Sequence, residues 1–488
     1  MVEASPQLRK SRTIGHKNTM VMHKSSSIIS RNRMAGNYRD ASTEIAMSDI
    51  ISGGRYTTDE ELVESVAIPS KEYAVAVAMR ANGKRIPLPE SHITPARRHG
   101  MGWRVPRYTA CSNVAGATDE TVLPEGEHIG TVPGFALRGY QRDALAAWWR
   151  HKAGIIVAPC GAGKTAMGLT AVLHLDTPAL VLVHTGDLLR QWKERAEALG
   201  IPTTTIAEGL GPQRARLVIA TMQTLSMWPR HQLAEWGAGF GLVIVDEAHH
   251  VPCATLTDVL YELPGRYRLG LTATPTRADG LTPILLGHMG PIRAEVSRQA
   301  LADAGAIIVP RVERVATSWT SPENTDYVQM ITDATEDEPR NIQIADLAAS
   351  AVKSGRHVLI QTERVEHARA LSRLIGDRHG LGSVAIYGAL GAKARALALS
   401  QVASGACPIL IATQLADEGL DLPILDTLIL GVPQRNAARL EQRVGRIARP
   451  APGKVDAVVY DLLDDGPAKR LQYARLKVYR MMGCTVSG

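Results

Sequence analysis

The amino-acid sequence predicts two α/β domains in tandem, each a parallel sheet covered by helices on both faces. The first observation is that short runs rich in Val, Ile and Leu alternate with helical stretches from about residue 135 onward. The second is that the same alternation restarts after residue 350, beyond a segment rich in Thr, Asp, Glu and Pro. Runs that are apolar on both faces are typical of parallel strands buried between helices. We therefore expect two such sheets, one after the other.

Length and composition limit the kind of protein. With 488 residues, of which 45% are hydrophobic and 21% charged, the chain is long enough for two or three globular domains. Since no stretch approaches the roughly 20 uncharged apolar residues of a membrane span, we expect neither an integral membrane protein nor a membrane partner. The five cysteines are scattered, which disfavours a disulfide scaffold or a zinc cluster and fits a reducing compartment.

The basic charge is concentrated in residues 1–40. This segment holds eight Lys and Arg residues against Glu3 and Asp40, which accounts for +6 of the net charge of +7. Its many Ser, Arg and Asn residues predict a disordered basic tail. It is a solvated tail, a non-specific phosphate-binding arm or an organellar transit peptide. We expect a cytoplasmic protein of a bacterial or phage-infected cell, or an organellar protein if the tail is a transit peptide.

Residues 41–125 show little regularity, and we expect an accessory region of unknown fold with one strand-like run, Ala74–Met79. The first α/β domain is predicted over residues 126–300. Its predicted strands are Gly154–Ala158, Leu180–His184, Leu217–Thr221, Leu242–Asp246 and Leu269–Thr274. One of its helices has Asp187 as the candidate N-cap and Gly200 as its stop.

The second α/β domain is predicted over residues 346–488, and residues 301–345 are a linker or the start of this domain. Its predicted strands are His357–Thr362, Ser383–Tyr387, Pro408–Thr413, Thr427–Gly431 and Ala457–Asp461. The last segment, Lys469–Met482, has apolar residues at helical spacing. This spacing predicts an amphipathic helix that packs back on the second domain.

A glycine-containing loop follows the first predicted strand directly and precedes a helical run. Its sequence, from Ala158 to Thr165, is APCGAGKT, with Ala158 where the general pattern has Gly. A turn of this kind at a helix N-terminus directs backbone N–H groups toward phosphates. Lys164 can then reach the β- and γ-phosphates of ATP, and Thr165 can offer a hydroxyl to Mg²⁺. The context of strand, loop and helix predicts an ATP-binding loop.

Two adjacent carboxylates, Asp246 and Glu247, end another buried strand downstream of this loop. At this position Asp246 would hold Mg²⁺ through water, and Glu247 would orient and deprotonate the attacking water. An Asp-Glu pair after a strand is common by itself. Its place downstream of a phosphate-binding loop predicts ATP hydrolysis.

Five motifs then follow the order found in superfamily 2 helicases. Asp246–His249 is a DEAH box, and Leu271–Pro275 resembles motif III. Ile411–Asp421 resembles motif V, Gln442–Arg449 resembles motif VI, and Leu137–Gln141 resembles the adenine-reading Q-type motif. The resemblance covers about residues 130–480. The residues around the DEAH box and motif III look like the DNA-acting branch, with its XPB-like translocases, phage UvsW-like helicases and helicase subunits of type III restriction enzymes.

The resemblance implies two RecA-like P-loop domains that bind ATP and Mg²⁺ in the crevice between them. The implied catalytic residues are Glu247, Gln442 and the arginine fingers Arg446 and Arg449. The residues implied to hold the nucleotide are Gln141, Gly161, Ala162, Gly163, Lys164, Thr165, Asp246, Gly419 and Asp421. Those implied to hold Mg²⁺ are Thr165 and Asp246. The residues implied to grip the tracking strand are Thr185, Thr221, Thr362 and Thr413, and those implied to couple the sites are His249, Thr272 and Thr274.

The spacing of the motif VI residues adds a geometric expectation. A helix is predicted to begin near Ala437, and Gln442, Arg446 and Arg449 would share one of its faces. The apolar residues of another face would pack against the sheet; they are Leu440, Val444 and Ile447.

The function that follows is an ATP-dependent DNA helicase or translocase that moves along a nucleic-acid strand, with DNA favoured over RNA. The alternatives are an RNA helicase, or the ATPase or translocase subunit of a restriction or defence complex. A non-enzymatic scaffold with a dead P-loop is disfavoured because the motif residues are intact. Comparing the stimulation of ATP hydrolysis by DNA and by RNA separates the first two possibilities.

Overall fold

A computed structural model gives the fold of the chain. The residues that it describes are 50–51, 55–57, 67–69, 92–93, 97–99, 102–108, 118–207, 211–274, 279–413 and 422–488. Four sequence predictions lie outside these residues and stay predictions; they concern the basic tail, the run Ala74–Met79, Gly419 and Asp421.

Short strands make up the accessory region where the structure describes it. They are β1 (Ile50–Ile51), β2 (Arg55–Thr57), β3 (Ile68–Pro69), β4 (His92–Ile93), β5 (Arg97–His99), β6 (Gly102–Val105) and β7 (Thr118–Asp119). One sheet has the order β5-β6-β2-β1-β7, and β3 pairs with β4. The end of β6 and the residues after it attach to the first α/β domain: Arg104 Nη1 lies 2.9 Å from Glu262 Oε1, and Arg107 Nη1 donates to the Gly265 carbonyl at 2.7 Å.

Parallel strands form the first large sheet, in the order β10-β11-β9-β12-β13-β8-β14. They are β8 (Ala153–Val157), β9 (Ala179–Val183), β10 (Thr203–Ile206), β11 (Leu217–Thr221), β12 (Leu242–Asp246), β13 (Tyr267–Thr272) and β14 (Ile292–Glu295). All five predicted strands are present, with bounds within two residues of the prediction. The edge strands β10 and β14 were not predicted, because most of their residues are only half-buried and lack a continuous apolar pattern.

Helices cover both faces of this sheet. They are α1 (Gly139–Trp149), α2 (Lys164–His174), α3 (Gly186–Ala198), α4 (Met222–Ser226), α5 (Arg230–Gly237), α6 (Ala254–Tyr261), α7 (Thr282–Met289) and α8 (Arg298–Asp303). Neighbouring strand residues point into opposite cores, since Ile156 belongs to one buried cluster and Ile155 to the other. The predicted N-cap of α3 was wrong: the Thr185 hydroxyl accepts the cap bond from Leu188 N, and Asp187 lies inside the first turn.

The second large sheet is also parallel and has the order β17-β18-β16-β19-β20-β15-β21. Its strands are β15 (Arg311–Thr320), β16 (Val358–Thr362), β17 (Ser383–Ile386), β18 (Ile409–Thr413), β19 (Thr427–Leu430), β20 (Val458–Asp465) and β21 (Thr485–Ser487). Its helices are α9 (Tyr327–Glu336), α10 (Glu338–Lys353), α11 (Val365–His379), α12 (Ala392–Ala403), α13 (Ala437–Ile447) and α14 (Lys469–Met481). The five predicted strands are present, and each begins within one residue of the prediction.

The predicted fold class, two tandem parallel sheets with helices on both faces and an accessory region before them, is confirmed. The segment 301–345 contributes β15 to the second sheet, where this strand pairs with β20 and β21. In the part of the chain that the structure describes, no helix combines the length and the apolar character that crossing a membrane requires.

Candidate nucleotide and nucleic-acid sites

The loop between β8 and α2 has a backbone suited to binding phosphates. Gly161 and Gly163 have φ angles of 87° and 76°, a left-handed region that glycine adopts without steric cost. A Cβ on Gly163 would also collide with the side-chain amide of Gln141. Because α2 begins at Lys164, the N–H groups of its first residues have no partners within the helix and can bind an anion.

Gln141 braces this loop from α1. Its Nε2 donates to the Ala162 carbonyl at 2.8 Å, and its Oε1 accepts from the Arg138 backbone N–H at 2.8 Å. The Tyr140 hydroxyl donates to the same Ala162 carbonyl at 3.2 Å. Gln141 is therefore placed beneath the loop, buried, and its contact with adenine stays a prediction.

Asp246 ends β12 with its carboxylate held by two hydrogen bonds. Trp192 Nε1 donates to Oδ2 at 2.7 Å, and the Glu247 backbone N–H donates to Oδ1 at 3.0 Å. Burial, followed by the neighbouring charge of Glu247, raises the pKa of Asp246 above its ordinary value. A buried carboxylate in a fixed orientation gains from a nearby cation, which is the setting that a metal ligand requires.

Glu247 lies among positive charges. Its φ of 48° and ψ of 51° are left-handed, a conformation that is uncommon outside glycine and is often found at functional sites. Its Oε1 is 3.7 Å from Lys164 Nζ, and its Oε2 is 3.4 Å from His249 Nδ1. Burial opposes ionisation of Glu247, but the charges of Lys164, His249 and Arg446 outweigh burial and lower its pKa. An ionised carboxylate suits the predicted role of general base.

Lys164 is the counterpart of this carboxylate. Burial by itself would lower the pKa of Lys164, but the negative charges of Glu247, Cys160 and Asp246 together outweigh burial, and the pKa is raised. The ammonium also lies 3.4 Å from the Ala158 carbonyl, at the start of the loop. The lysine is thus held charged at the place where the β- and γ-phosphates are expected.

The two residues predicted to hold Mg²⁺ supply suitable atoms. Thr165 is buried in the first turn of α2, and Asp246 is at the end of β12. Hydroxyl and carboxylate oxygens are the hard donors that Mg²⁺ prefers, with water and phosphate completing its shell. The Thr165 hydroxyl accepts a bond from Arg195 Nη1 at 3.0 Å, and a hydroxyl oxygen has a second lone pair that can take a metal ion. The residues present therefore fit a magnesium ion.

The three predicted coupling residues lie together. His249 Nδ1 is 3.1 Å from Thr272 Oγ1, at the end of β13. The same hydroxyl donates to the Thr274 carbonyl and accepts from the Thr274 backbone N–H, both at 3.2 Å. Since His249 also faces Glu247, a continuous set of contacts joins the candidate base to motif III. The coupling role itself stays a prediction.

The second domain presents α13 to the phosphate-binding loop. A Cβ on Gly445 would lie 2.8 Å from Cys160 Cβ, so the helix packs directly against the loop. Arg446, one residue further, is near enough for its charge to lower the pKa of Glu247. Arg298 Nη2 and Glu441 Oε1 add an ion pair at 2.6 Å between α8 and α13. Gln442 is half-buried on the same helix.

Arg449 departs from the predicted geometry. The helix α13 begins at Ala437 as expected but ends at Ile447, so Arg449 follows the helix and does not share its face with Gln442 and Arg446. The helix stops there because Pro450 has no N–H and disfavours a helical backbone at the residue before it. The Arg449 carbonyl accepts instead from Lys454 Nζ at 2.8 Å. The apolar face is as predicted, since its three residues are buried in the core of the second domain: Leu440, Val444 and Ile447.

The four threonines predicted to grip a strand lie at the carboxyl ends of parallel strands. Thr221 is in register with Val183, two residues before Thr185, and Thr362 is in register with Thr413. The hydroxyls of Thr185 and Thr221 accept the N-cap bonds of α3 and α4. Thr362 and Thr413 are buried. Each pair thus shares one edge of its sheet, and contact with nucleic acid stays a prediction for all four.

Trp192 and Arg195 are two further site residues that sequence reasoning did not single out. Both lie on α3 and contact the candidate metal ligands, at 2.7 Å and 3.0 Å. No pattern in the sequence marks them, because a tryptophan in an amphipathic helix predicts a core residue equally well.

Two family models match the chain. The model described as "Type III restriction enzyme, res subunit" matches residues 134–277, and "Helicase conserved C-terminal domain" matches residues 341–451. The first match contains the phosphate-binding loop and the DEAH box, and the second contains motif VI.

Similar proteins are known from several organisms. The chain is 28% identical over 383 residues to "DNA 3'-5' helicase XPB" of Mycobacterium tuberculosis, covering 74% of this chain and 65% of that protein. It is 37% identical over 196 residues to "DNA 3'-5' translocase XPB2" of Sulfurisphaera tokodaii, covering 39% of this chain and 42% of that protein. The chain therefore spans less than two thirds of either relative.

A solved structure shares the fold. S. cerevisiae Dbp5, bound to RNA and ADP BeF3, superposes with a TM-score of 0.54 at 16% identity, covering 72% of this chain and 90% of that chain. Because the sequence identity is only 16%, this similarity shows a shared fold and nothing about function.

Proposed function

We propose that this chain, which belongs to superfamily 2 of the helicases, is an ATP-dependent DNA helicase or translocase that uses Mg²⁺ and moves along a nucleic-acid strand. Its parts would be the ATP-binding domain of residues 126–300 and the helicase C-terminal domain of residues 346–488. The names of the two relatives support DNA as the substrate.

The observation that carries the proposal is the meeting of opposite charges across the two domains. The first domain supplies the Lys164–Glu247 contact at 3.7 Å. The second supplies Arg446 on a helix that packs against the phosphate-binding loop through Gly445. An anion with several charges, such as a triphosphate, would bind best between Lys164 and Arg446. A site divided in this way is complete only when the domains are closed.

Each side chain then has one task. The loop amides and Lys164 bind the β- and γ-phosphates, and Thr165 and Asp246 would hold Mg²⁺. The chemistry that Mg²⁺ would supply there is neutralisation of charge on the phosphates. Glu247 orients the attacking water and accepts its proton at Oε1 or Oε2, and His249 stabilises the ionised form. Arg446 and Arg449 neutralise the charge that develops on the γ-phosphate.

Movement would follow from closing and opening of the domains. The threonine pairs lie on the carboxyl edge of each sheet, Thr185 with Thr221 and Thr362 with Thr413. Hydroxyls and helix N-terminal amides at such edges bind phosphates, independently of base sequence. The two threonine pairs belong to different domains. A change in the distance between the domains would therefore move one pair along the nucleic-acid strand relative to the other pair.

The test is the rate of ATP hydrolysis with single-stranded, double-stranded and branched DNA and with RNA. DNA is expected to raise the rate several-fold above the rate with RNA or without nucleic acid. A triplex-displacement assay on duplex DNA then reports translocation, with the Glu247→Gln protein as the control that binds ATP without cycling. Stimulation by RNA alone, or no response to any nucleic acid, would overturn the proposal.

A further inference from the structure

One face of α3 contacts both side chains that would hold the metal. Trp192 Nε1 donates to Asp246 Oδ2 at 2.7 Å, and Arg195 Nη1 donates to Thr165 Oγ1 at 3.0 Å. Residues three apart on a helix lie on the same side. A single helix therefore reaches two candidate ligands that come from different elements, β12 and α2.

The Trp192 ring has a fixed position in the core. The side chain is 1% exposed, and α2 passes so close that a Cβ on Gly168 would lie 2.6 Å from Trp192 Cη2. The same Cβ would lie 3.3 Å from Leu271 Cδ1, so the ring fills a slot between α2 and β13. Because the ring cannot turn in this slot, the direction of its N–H is set by the packing.

The indole N–H is suited to orienting a carboxylate without competing for the metal. An indole nitrogen only donates, and it carries no charge. It occupies one acceptor position of Asp246 Oδ2, while an ionised carboxylate offers about four such positions over its two oxygens. The carboxylate therefore keeps acceptor capacity for a cation or for a water bound to the cation.

We propose that Trp192 is a positioning residue for Asp246 and fixes the carboxylate in the orientation that magnesium-bound nucleotide needs. This inference rests on the proposed function, since it assigns Asp246 to the metal. Hydrogen-bond partners behind a metal ligand raise its effectiveness by holding its orientation, and their loss typically lowers metal affinity by about 10- to 100-fold.

The test compares Trp192→Phe with Trp148→Phe. Both tryptophans are fully buried and donate one hydrogen bond, and Trp148 Nε1 donates to the Arg268 carbonyl at 2.9 Å. The measurement is the affinity for ADP with and without Mg²⁺ by titration calorimetry. In Trp192→Phe we expect the Mg²⁺-dependent gain in affinity to fall by about tenfold, with metal-free affinity unchanged. Trp148→Phe should keep the wild-type gain even though its thermal midpoint falls.

Tryptophan emission gives a readout that does not depend on turnover. Adding Mg²⁺ to the ADP-bound wild-type protein should change the emission, since the carboxylate next to the Trp192 indole would gain a cation. This change should be absent in Trp192→Phe and present in Trp148→Phe. If Trp192→Phe does not fold, Gly168→Ala replaces it as the test variant, because the added Cβ displaces the Trp192 ring but does not remove its N–H. The measurement is again the ratio of the ADP affinities with and without Mg²⁺, and this ratio is expected to fall.

A wild-type affinity gain in Trp192→Phe, or an equal loss in Trp148→Phe, would overturn the positioning role. These outcomes differ from failure of the proposed function. If the proposed function is wrong, the affinity of the wild-type protein for ADP will not depend on Mg²⁺, or its rate of ATP hydrolysis will not respond to DNA.

Discussion

The two domains are built alike but bring opposite charges to the space between them. Each is a parallel sheet with its candidate residues at the carboxyl edge. The first domain presents the carboxylates Asp246 and Glu247 with one lysine, all joined by hydrogen bonds and close contacts. The second presents arginines at and beyond the end of α13. The comparison teaches that the first domain pairs its lysine and its carboxylates within itself, whereas the second domain adds the charge of Arg446 from a different part of the chain.

The largest expected effect comes from substituting the charged residues of the first domain. Glu247→Gln should bind ATP yet hydrolyse it about 10² to 10⁴-fold more slowly, since the general base is lost. Lys164→Ala should bind nucleotide poorly, because its ammonium is the side-chain cation of the loop. Nucleotide titration and steady-state turnover separate the two outcomes. Turnover like that of the wild type in Glu247→Gln would refute the assignment of the base.

Removing a charge from the second domain should affect hydrolysis and spare binding. Arg449→Ala is expected to lower turnover by about 10³-fold, the usual scale for an arginine finger. Its thermal midpoint and ATP affinity should stay close to those of the wild type. The control is Arg439→Ala, an exposed position on α13. A large fall in melting temperature, or full turnover in a folded protein, would defeat the finger assignment for Arg449.

The domains also differ in the partners of their buried arginines. This difference predicts a smaller effect, on the free energy of unfolding. In the first domain Arg268 donates to the carbonyls of His288, Leu260 and Leu263. In the second, Arg340 forms a fully buried pair with Asp464, at 2.9 Å. Asp464→Asn would leave the buried positive charge of Arg340 without its negatively charged partner.

Asp464→Asn is therefore expected to lower the free energy of unfolding by about 3 kcal/mol, as measured by urea denaturation. The adjacent Asp465→Asn is the control, because Asp465 is 62% exposed and pairs with Lys469 at the surface. Equal losses in the two variants would show that the buried pair is not what distinguishes the second domain.

The smallest effect is a pH dependence that belongs to the second domain. Burial, followed by the charge of Arg340, lowers the pKa of His367 to about 3. His367 Nε2 lies 2.8 Å from Asn341 Oδ1 and Nδ1 lies 2.8 Å from Thr362 Oγ1. With the amide oriented in this way, Nε2 carries the proton and Nδ1 accepts from the hydroxyl.

The unfolded chain binds a proton at His367 near pH 6.5, and the folded chain binds it only near pH 3. The unfolded state thus holds more protons between these values, and the free energy of unfolding should fall as pH is lowered below 6.5, by up to about 1.4 kcal/mol per pH unit. Urea denaturation at pH 7, 6 and 5 measures the slope. It should flatten in His367→Gln but not in His231→Gln, an exposed control; identical slopes in both would rule out His367 as the source.

The sequence by itself determined the central strands of both sheets, the phosphate-binding loop and the paired carboxylates. Each of these depends on residues adjacent along the chain: a buried strand that ends in Asp246 and Glu247, or a strand, Gly161 to Thr165 and a helix. Such patterns are local, because a buried parallel strand is apolar on both faces and a phosphate loop needs its glycines and its lysine in one turn.

The tertiary structure decided which distant residues support that site. Trp192 meets Asp246 across 54 residues, and Arg195 meets Thr165 across 30. It also decided that β15 joins the second sheet and that Arg449 lies beyond its helix. These contacts depend on the order of strands in the sheet and on the exact end of a helix. Spacing along the chain does not encode them, since packing between elements sets where each side chain points.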